Sequence, residues 1–156
     1  TVWDIREDGR IIGVTEELSA QDIYELGQEL DPFVIASGTR MGHVHLSVKN
    51  SRESSAFYQE SLNLKDKFTI PHASWIASGD YHHHLAVNEW GGKNLALREQ
   101  GMAGLAYYVV EVENKEELLK VFAQSQSANA ITQWLSSAEF SLTDKDGIMT
   151  RVRVEG

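Results

Sequence analysis

The segment LAYYVVEVENKEELLKVF repeats the pattern of MGHVHLSVKNSRESSAFY at a shift of 64 residues without a gap. His43 falls on Tyr107, Val48 on Val112, Asn50 on Asn114 and Glu53 on Glu117. In each copy an alternating stretch, which reads as a strand, runs into a helix opened by an asparagine; the second has an Asn114-x-x-Glu117 capping box. A chain built this way must fold as two similar units. A unit with one uncovered sheet face has to bury it against its copy.

The rest of each unit follows from local chemistry. After Val48, Asn50 or Ser51 caps a helix reaching about Leu62, with Ala56 and Phe57 expected on the back of the sheet and Asn63 closing it in the left-handed conformation. Residues 64–70, 73–78 and 80–88 read as three strands, turned at Pro71 and at Gly79-Asp80. Strands near 130–135, 137–143 and 148–154 complete the second copy, with Asp144-Lys145-Asp146-Gly147 as a hairpin turn. That acidic turn lacks the ligand set of a calcium loop. The expected architecture is α+β, two β-α-β-β-β units at about 42–98 and 104–154 pairing into a cupped mixed sheet. Between them lies an irregular stretch from Gly91-Gly92 through Gly101 and Gly104.

Residues 1–40 read as a linker and one packing helix, ahead of a domain spanning 41–156. Gly9-Arg10 forms a turn between Trp3-Asp4-Ile5 and Ile11-Ile12. Ser19 is the N-cap of the helix, Asp22 lies three residues on, and Leu18 is placed to staple against Ile23. Ile23, Leu26 and Leu30 supply its apolar stripe, and Asp31-Pro32 ends it.

All 6 histidines lie between Met41 and Asn88. In GHVHLSV, alternation sends His43, His45 and Ser47 to one face and Val44, Leu46 and Val48 to the other. In YHHHLAVN the apolar set Tyr81, Leu85 and Val87 carries His83 behind the sheet and leaves His82 and His84 facing the cavity. Imidazoles at i and i+2 on a strand suit a borderline divalent metal such as iron, zinc, manganese or nickel. The competing reading is ordinary: a strand histidine is more often a hydrogen-bonded, half-buried residue than a ligand.

Composition narrows the field. The 14 basic residues are scattered against 23 acidic ones, for a formal net charge of -9, which argues against nucleic acid and anionic membranes as partners. There is no cysteine, hence no thiolate nucleophile, disulfide framework or cysteine-ligated zinc. No apolar run approaches the roughly 20 residues of a membrane helix. A cytoplasmic location is the default expectation. The start at Thr1 reads as a trimmed or partial product.

Paired units of this kind, with HVHL opening the first strand, Phe57-Tyr58 on the helix, Leu62-Asn63-Leu64 after it, and YHHH before the fourth strand, resemble the vicinal oxygen chelate superfamily. That group includes glyoxalases, extradiol ring-cleaving dioxygenases, and fosfomycin and bleomycin resistance proteins. Within it, GHVHLSV, SGDYHHHLAVNEW, GLAYY and Trp3 are similar to the C-terminal half of bacterial catechol 2,3-dioxygenase-like proteins. The resemblance implies metal ligands from the first and fourth strands of each unit. On this chain they are His43, the His82/His84 position, Tyr107, and a residue near Met149, Arg151 or Arg153. Extradiol members keep a histidine and a glutamate where this chain offers Tyr107 and Arg151, so a carboxylate has to come from Glu111, from Glu89 or from a partner unit.

Three functions fit. The first is a dioxygenase, or its C-terminal half, holding Fe(II) or Mn(II), with Zn or Ni as alternatives. Its ligands are His43 and His84, with His82, His45 or Glu111 completing the set, and Tyr107 or His82 moves a proton. Its substrate is a small aromatic with vicinal oxygens. The second is a glyoxalase-like, non-oxidative metalloenzyme. The third is a metal-free protein that sequesters an aromatic ligand on Trp75, Trp90, Tyr81 or Tyr107. A half-sized assembly implies a homo-oligomer or a missing N-terminal half.

Overall fold

A computed structural model describes residues 5–11, 17–27, 34–92, 94–99 and 101–155. Its elements are α1 (Ala20–Leu26), β1 (Val44–Ser47), α2 (Ser51–Leu62), β2 (Lys65–Ile70), β3 (Ala73–Ala77) and β4 (Leu85–Asn88), followed by β5 (Tyr108–Val112), α3 (Lys115–Ser127), β6 (Ile131–Ser136), β7 (Glu139–Thr143) and β8 (Met149–Val154). From β1 to α2 and from β5 to α3, the two halves follow the repeat. The chemistry that opens the helices is the same in both: the Asn50 side chain accepts from the Glu53 N–H at 3.1 Å and the Asn114 side chain from the Glu117 N–H at 3.0 Å. Asn63 closes α2 at φ 54°, as its short polar side chain allows.

Each unit forms its own four-stranded mixed sheet, ordered β1-β4-β3-β2 and β5-β8-β7-β6. The first strand pairs in parallel with the fourth, Val44 opposite Leu85 and Tyr108 opposite Thr150, a pairing that needs the long crossover through the helix. Each second strand carries a register shift at a matching place, between Asp66 and Phe68 and between Trp134 and Ser136. The helices cover the inner faces and pack against each other, so one apolar core runs through both units. Leu46, Val48, Tyr58, Ile76 and Val87 of the first unit join Leu118, Phe140, Leu142 and Val152 of the second. Each such side chain contributes about 1.5–3 kcal/mol by leaving water.

A polar bridge crosses the same interface. The buried Tyr58 hydroxyl donates to Asp144 Oδ2 at 2.7 Å, and Asp144 Oδ1 accepts from the Asp146 and Ile148 N–H groups at 2.9 and 2.8 Å. The expected 144–147 turn is therefore also a clamp between units. Burial is the main cause of a raised Asp144 pKa, opposed by those donors, and burial likewise raises the Tyr58 phenol.

Three local expectations change. The buried face of α2 is Ser51, Ser54, Ser55, Tyr58, Ser61 and Leu62; Ala56 is exposed and Phe57 only half-buried. Three of these hydroxyls pair, Ser51 with Glu89, Ser54 with Asp146 and Ser55 with Ser74 Oγ at 2.7 Å, whereas the buried Ser61 hydroxyl has no partner among the described residues. α1 is capped by Ser19 as expected but buries nothing, with Leu18 75% and Leu26 84% exposed, and it stops at Gly27. Leu30 and Asp31-Pro32 lie outside the described residues, as do Trp3-Asp4 and Ile12 of the first turn. Within that turn, Ile5 and Ile11 form an antiparallel bridge around Gly9.

The fourth strand starts at Leu85, not near residue 80. Residues 81–84 form an irregular approach, so the alternation assumed for His82, His83 and His84 does not hold there. Alternation is a property of pleated, paired backbone, and only from His84 onward does this chain join the ladder: His84 N–H donates to Ile76 and its carbonyl accepts from Val44.

Candidate metal centre

β1 presents His45 on the open face of the first sheet, and His43 precedes it by one pleat. The irregular turn from Tyr81 to His84 then swings His83 toward this pair. One nitrogen or more from each of His43, His45 and His83 lies within 4.8 Å of the others, the group among the described residues with the geometry to hold an ion. Ring centroids are 4.4 Å apart for His43 and His83, and 5.2 Å for His43 and His45. His45 Nε2 stands 3.1 Å from His83 Nε2.

Two of the donors are biased toward the neutral form. Burial, with the neighbouring His82 and His43 next in effect, pulls the His83 pKa down to about 3. Burial and the proximity of His43 also lower His45. Neutral imidazole is the ligating form, and burial and crowding bias His45 and His83 toward it. His82, also lowered mainly by burial, hydrogen-bonds His83 Nδ1 through its own Nδ1, which orients the His83 ring and leaves Nε2 turned to the cluster.

The other predicted residues are distributed differently. His84 lies outside the three-histidine group: its Nδ1 accepts from the Ser78 N–H at 3.2 Å, and its ring stacks near Tyr81 at 4.7 Å. It still shares a cleft of ≈ 630 Å³ between the two first strands, where His43 and His84 face Val109 and Glu111 of the second unit. Glu111 is already held there: Arg153 Nε and Nη2 donate to its Oε1 at 3.0 and 2.8 Å. Tyr107 carries the Arg151 guanidinium over its ring at 3.8 Å, and Arg151 lies 3.6 Å from Glu139. Glu89 is also committed, accepting from the Ser51 N–H and hydroxyl, both at 2.8 Å, with His72 at 3.3 Å. Those Ser51 donors are the main cause of its lowered pKa.

At the positions that carry His43, His45 and His84 in the first unit the second carries Tyr107, Val109 and Met149, and the charged residues beside them pair off, Glu111 with Arg153 and Tyr107 with Arg151. An aromatic row borders the histidines: Trp90 is 6.4 Å from His45, Trp75 is 6.4 Å from Trp90 and Phe68 is 5.4 Å from Trp75. Sequence reasoning named Trp75 and Trp90 but missed Phe68, which the strand period places beside Trp75 across the β2/β3 pair.

The Glyoxalase/Bleomycin resistance protein/Dioxygenase superfamily model matches residues 40–152. A catechol-2,3-dioxygenase of Bacillus subtilis (strain 168) is 28% identical over 120 residues, 76% of this chain but 42% of that protein, so the chain spans less than half the length of the curated relative it matches. Among solved structures, a glyoxalase/dioxygenase from Nostoc punctiforme superposes with a TM-score of 0.60 at 15% identity, over 80% of this chain and 97% of that one. The fosfomycin resistance protein FosX of Listeria monocytogenes, complexed with Mn(II) and sulfate, gives a TM-score of 0.55 at 12% identity, over 78% and 93%. The repeat, the twin mixed sheets and the matched span agree: this chain belongs to the glyoxalase/bleomycin resistance/dioxygenase superfamily, the vicinal oxygen chelate fold.

Proposed function

We propose that the chain is a metal-dependent extradiol-type dioxygenase, or the metal-bearing part of one, that takes a small aromatic substrate with two adjacent oxygens. The observation that carries the reading is the convergence of His43, His45 and His83 within 4.8 Å. The residues fit a divalent ion: all three donors are nitrogens, His45 and His83 have pKa values lowered toward the neutral form, and His82 orients the His83 ring from behind. The likeness to the Bacillus catechol-2,3-dioxygenase supports the oxidative version.

His43, His45 and His83 would hold the metal, with Fe(II) or Mn(II) favoured over Zn or Ni for oxygen chemistry. Such an ion supplies a template for both substrate oxygens and a path for electrons between substrate and dioxygen. Three neutral imidazoles leave its two positive charges uncompensated, so the residues select a substrate that brings negative charge, as a deprotonated vicinal diol does. Trp90 and Trp75 form an aromatic border beside His45. His84, outside the ligand group but on the same cleft as His43, accepts from the Ser78 N–H at Nδ1, so in its neutral form it presents an Nε2–H donor to that cleft.

One observation favours a second reading, a non-oxidative Lewis-acid enzyme: among the described residues no carboxylate joins the cluster, with Glu111 held by Arg153 and Glu89 by Ser51. A three-histidine set is also the catalytic zinc arrangement. Oxygen uptake with catechol, measured after loading with Fe(II) or Mn(II), separates the two. Uptake that is lost in His43→Ala supports the dioxygenase. Stoichiometric metal binding without uptake across a panel of catechols favours the second reading, and failure to bind one equivalent of any of the four metals overturns both.

A further inference from the structure

The repeat produces a second cleft, and its chemistry differs from that of the first. It holds ≈ 500 Å³ between β1, the 144–148 turn and the stretch joining the two units. His45 stands on its inner wall. Leu95, Leu97 and Leu105 give it an apolar side, and Lys49 and Arg98 line it as cations. Among the described residues, neither Lys49 nor Arg98 forms an ion pair with a carboxylate. Asp146 also lines this cleft, but it is engaged: its Oδ2 accepts from the Lys49 backbone N–H at 3.3 Å and from Ser54 Oγ at 3.4 Å.

The arrangement is specific to this cleft. The Arg98 guanidinium rests where Gly104 has no side chain; a Cβ there would stand 2.9 Å from Nη1. The ≈ 630 Å³ cleft, by contrast, carries Glu111, Glu113 and Glu117 against Lys120. Two cations without carboxylate partners, set at an apolar cleft of a chain with a net charge of -9, form a local exception to its field.

We propose that this second cleft is the substrate pocket and selects an aromatic acid, its ring against Leu95, Leu97 and Leu105, its carboxylate toward Lys49 and Arg98, and its other end toward His45. A pocket of this volume accommodates one substituted ring. The inference rests on the reading of His45 as part of a metal centre only for the direction in which the ring's oxygens point; selection of the acid belongs to Lys49 and Arg98.

The test is calorimetric binding of 3,4-dihydroxybenzoate, benzoate and catechol to the metal-free protein at low salt, repeated with Lys49→Gln, Arg98→Gln and the double variant. The two acids are expected to bind about ten-fold more tightly than catechol, a preference that weakens with salt and disappears in the double variant, while catechol affinity is unchanged. Gly104→Ala, which displaces Arg98 without removing it, is expected to halve the preference or more. Equal affinities for acid and catechol, a preference that survives the double variant, or no binding of any probe at millimolar concentration overturns the proposal. Metal titration of the same samples keeps the two readings apart. Acid preference in a protein that binds no metal overturns the metal centre and leaves the pocket, whereas metal binding without acid preference does the reverse.

Discussion

The first and second units carry one backbone plan and two chemistries. Both have an asparagine-capped helix, a first strand parallel to the fourth and a register shift in the second strand. On the first, the open face gathers imidazoles, His43, His45 and His83, within 4.8 Å of one another. On the second, Glu111 with Arg153 and Tyr107 with Arg151 satisfy one another. The difference teaches that backbone duplication preserves what the helix caps and strand periods need, while the exposed positions of each copy are free to diverge. Where groups neutralise each other they are closed to a ligand. Where donors crowd together without a charge partner among them, as at His43, His45 and His83, the group has the geometry to hold an ion.

Breaking the comparison at its chemistry should have the largest effect. His43→Ala or His83→Ala is expected to lower affinity for Mn(II) or Zn(II) beyond the roughly 10–100-fold that loss of an outer partner costs, whereas Tyr107→Phe and Arg151→Met leave it unchanged. Metal titration followed by elemental analysis reads both. Weakening by the second-unit changes as large as that by His43→Ala would mean that the two units share one site.

The bridge between units comes next. Tyr58→Phe removes the donor to Asp144 and is expected to cost about 1–3 kcal/mol, seen as a Tm lower by roughly 2–4 °C per kcal/mol for a chain of this size. The pH dependence has a definite sign. The folded pKa of Asp144 is raised, so its contribution to stability is fully present below the ordinary carboxylate value of 3.8 and is lost as pH rises through the raised value. Asp144→Asn, which gives the Tyr58 hydroxyl an amide to accept from, should therefore gain stability over the parent between pH 4 and 7. Thermal unfolding across that range checks it; a gap that shrinks with rising pH would place the titrating group elsewhere.

The smallest effects should be equal in the two units. Asn50→Ala and Asn114→Ala each remove a cap that accepts one N–H, and each is expected to cost about 1 kcal/mol. Denaturant midpoints read the pair. Unequal losses would show that one helix is held chiefly by its packing and not by its start.

Much of this plan was legible in advance because its signals are local. Asn50, Asn114 and Ser19 cap as read, Asn63 takes the left-handed position, and the HVHL alternation puts His43 and His45 on the open side of β1. Local signals failed where the backbone stops being regular. His83 was assigned behind the sheet on the assumption of a pleat that begins only at Leu85. Hydrophobicity alone gives α2 an Ala56-Phe57 face, whereas the helix buries serines, of which Ser55 finds a hydroxyl partner, Ser74, on β3.

The sequence by itself determined the two-unit plan, the element order and the location of every imidazole, because caps, turns and strand period depend on neighbours a few residues away. Tertiary structure decided which histidines meet, that Glu111 and Glu89 are already committed, and that Tyr58 binds the units through Asp144. Those outcomes depend on an irregular turn and on contacts between residues more than thirty positions apart, such as His45 with His83 and Glu111 with Arg153. The partner that satisfies or displaces a side chain at that range is chosen by the packing of the whole core, and no local pattern encodes it.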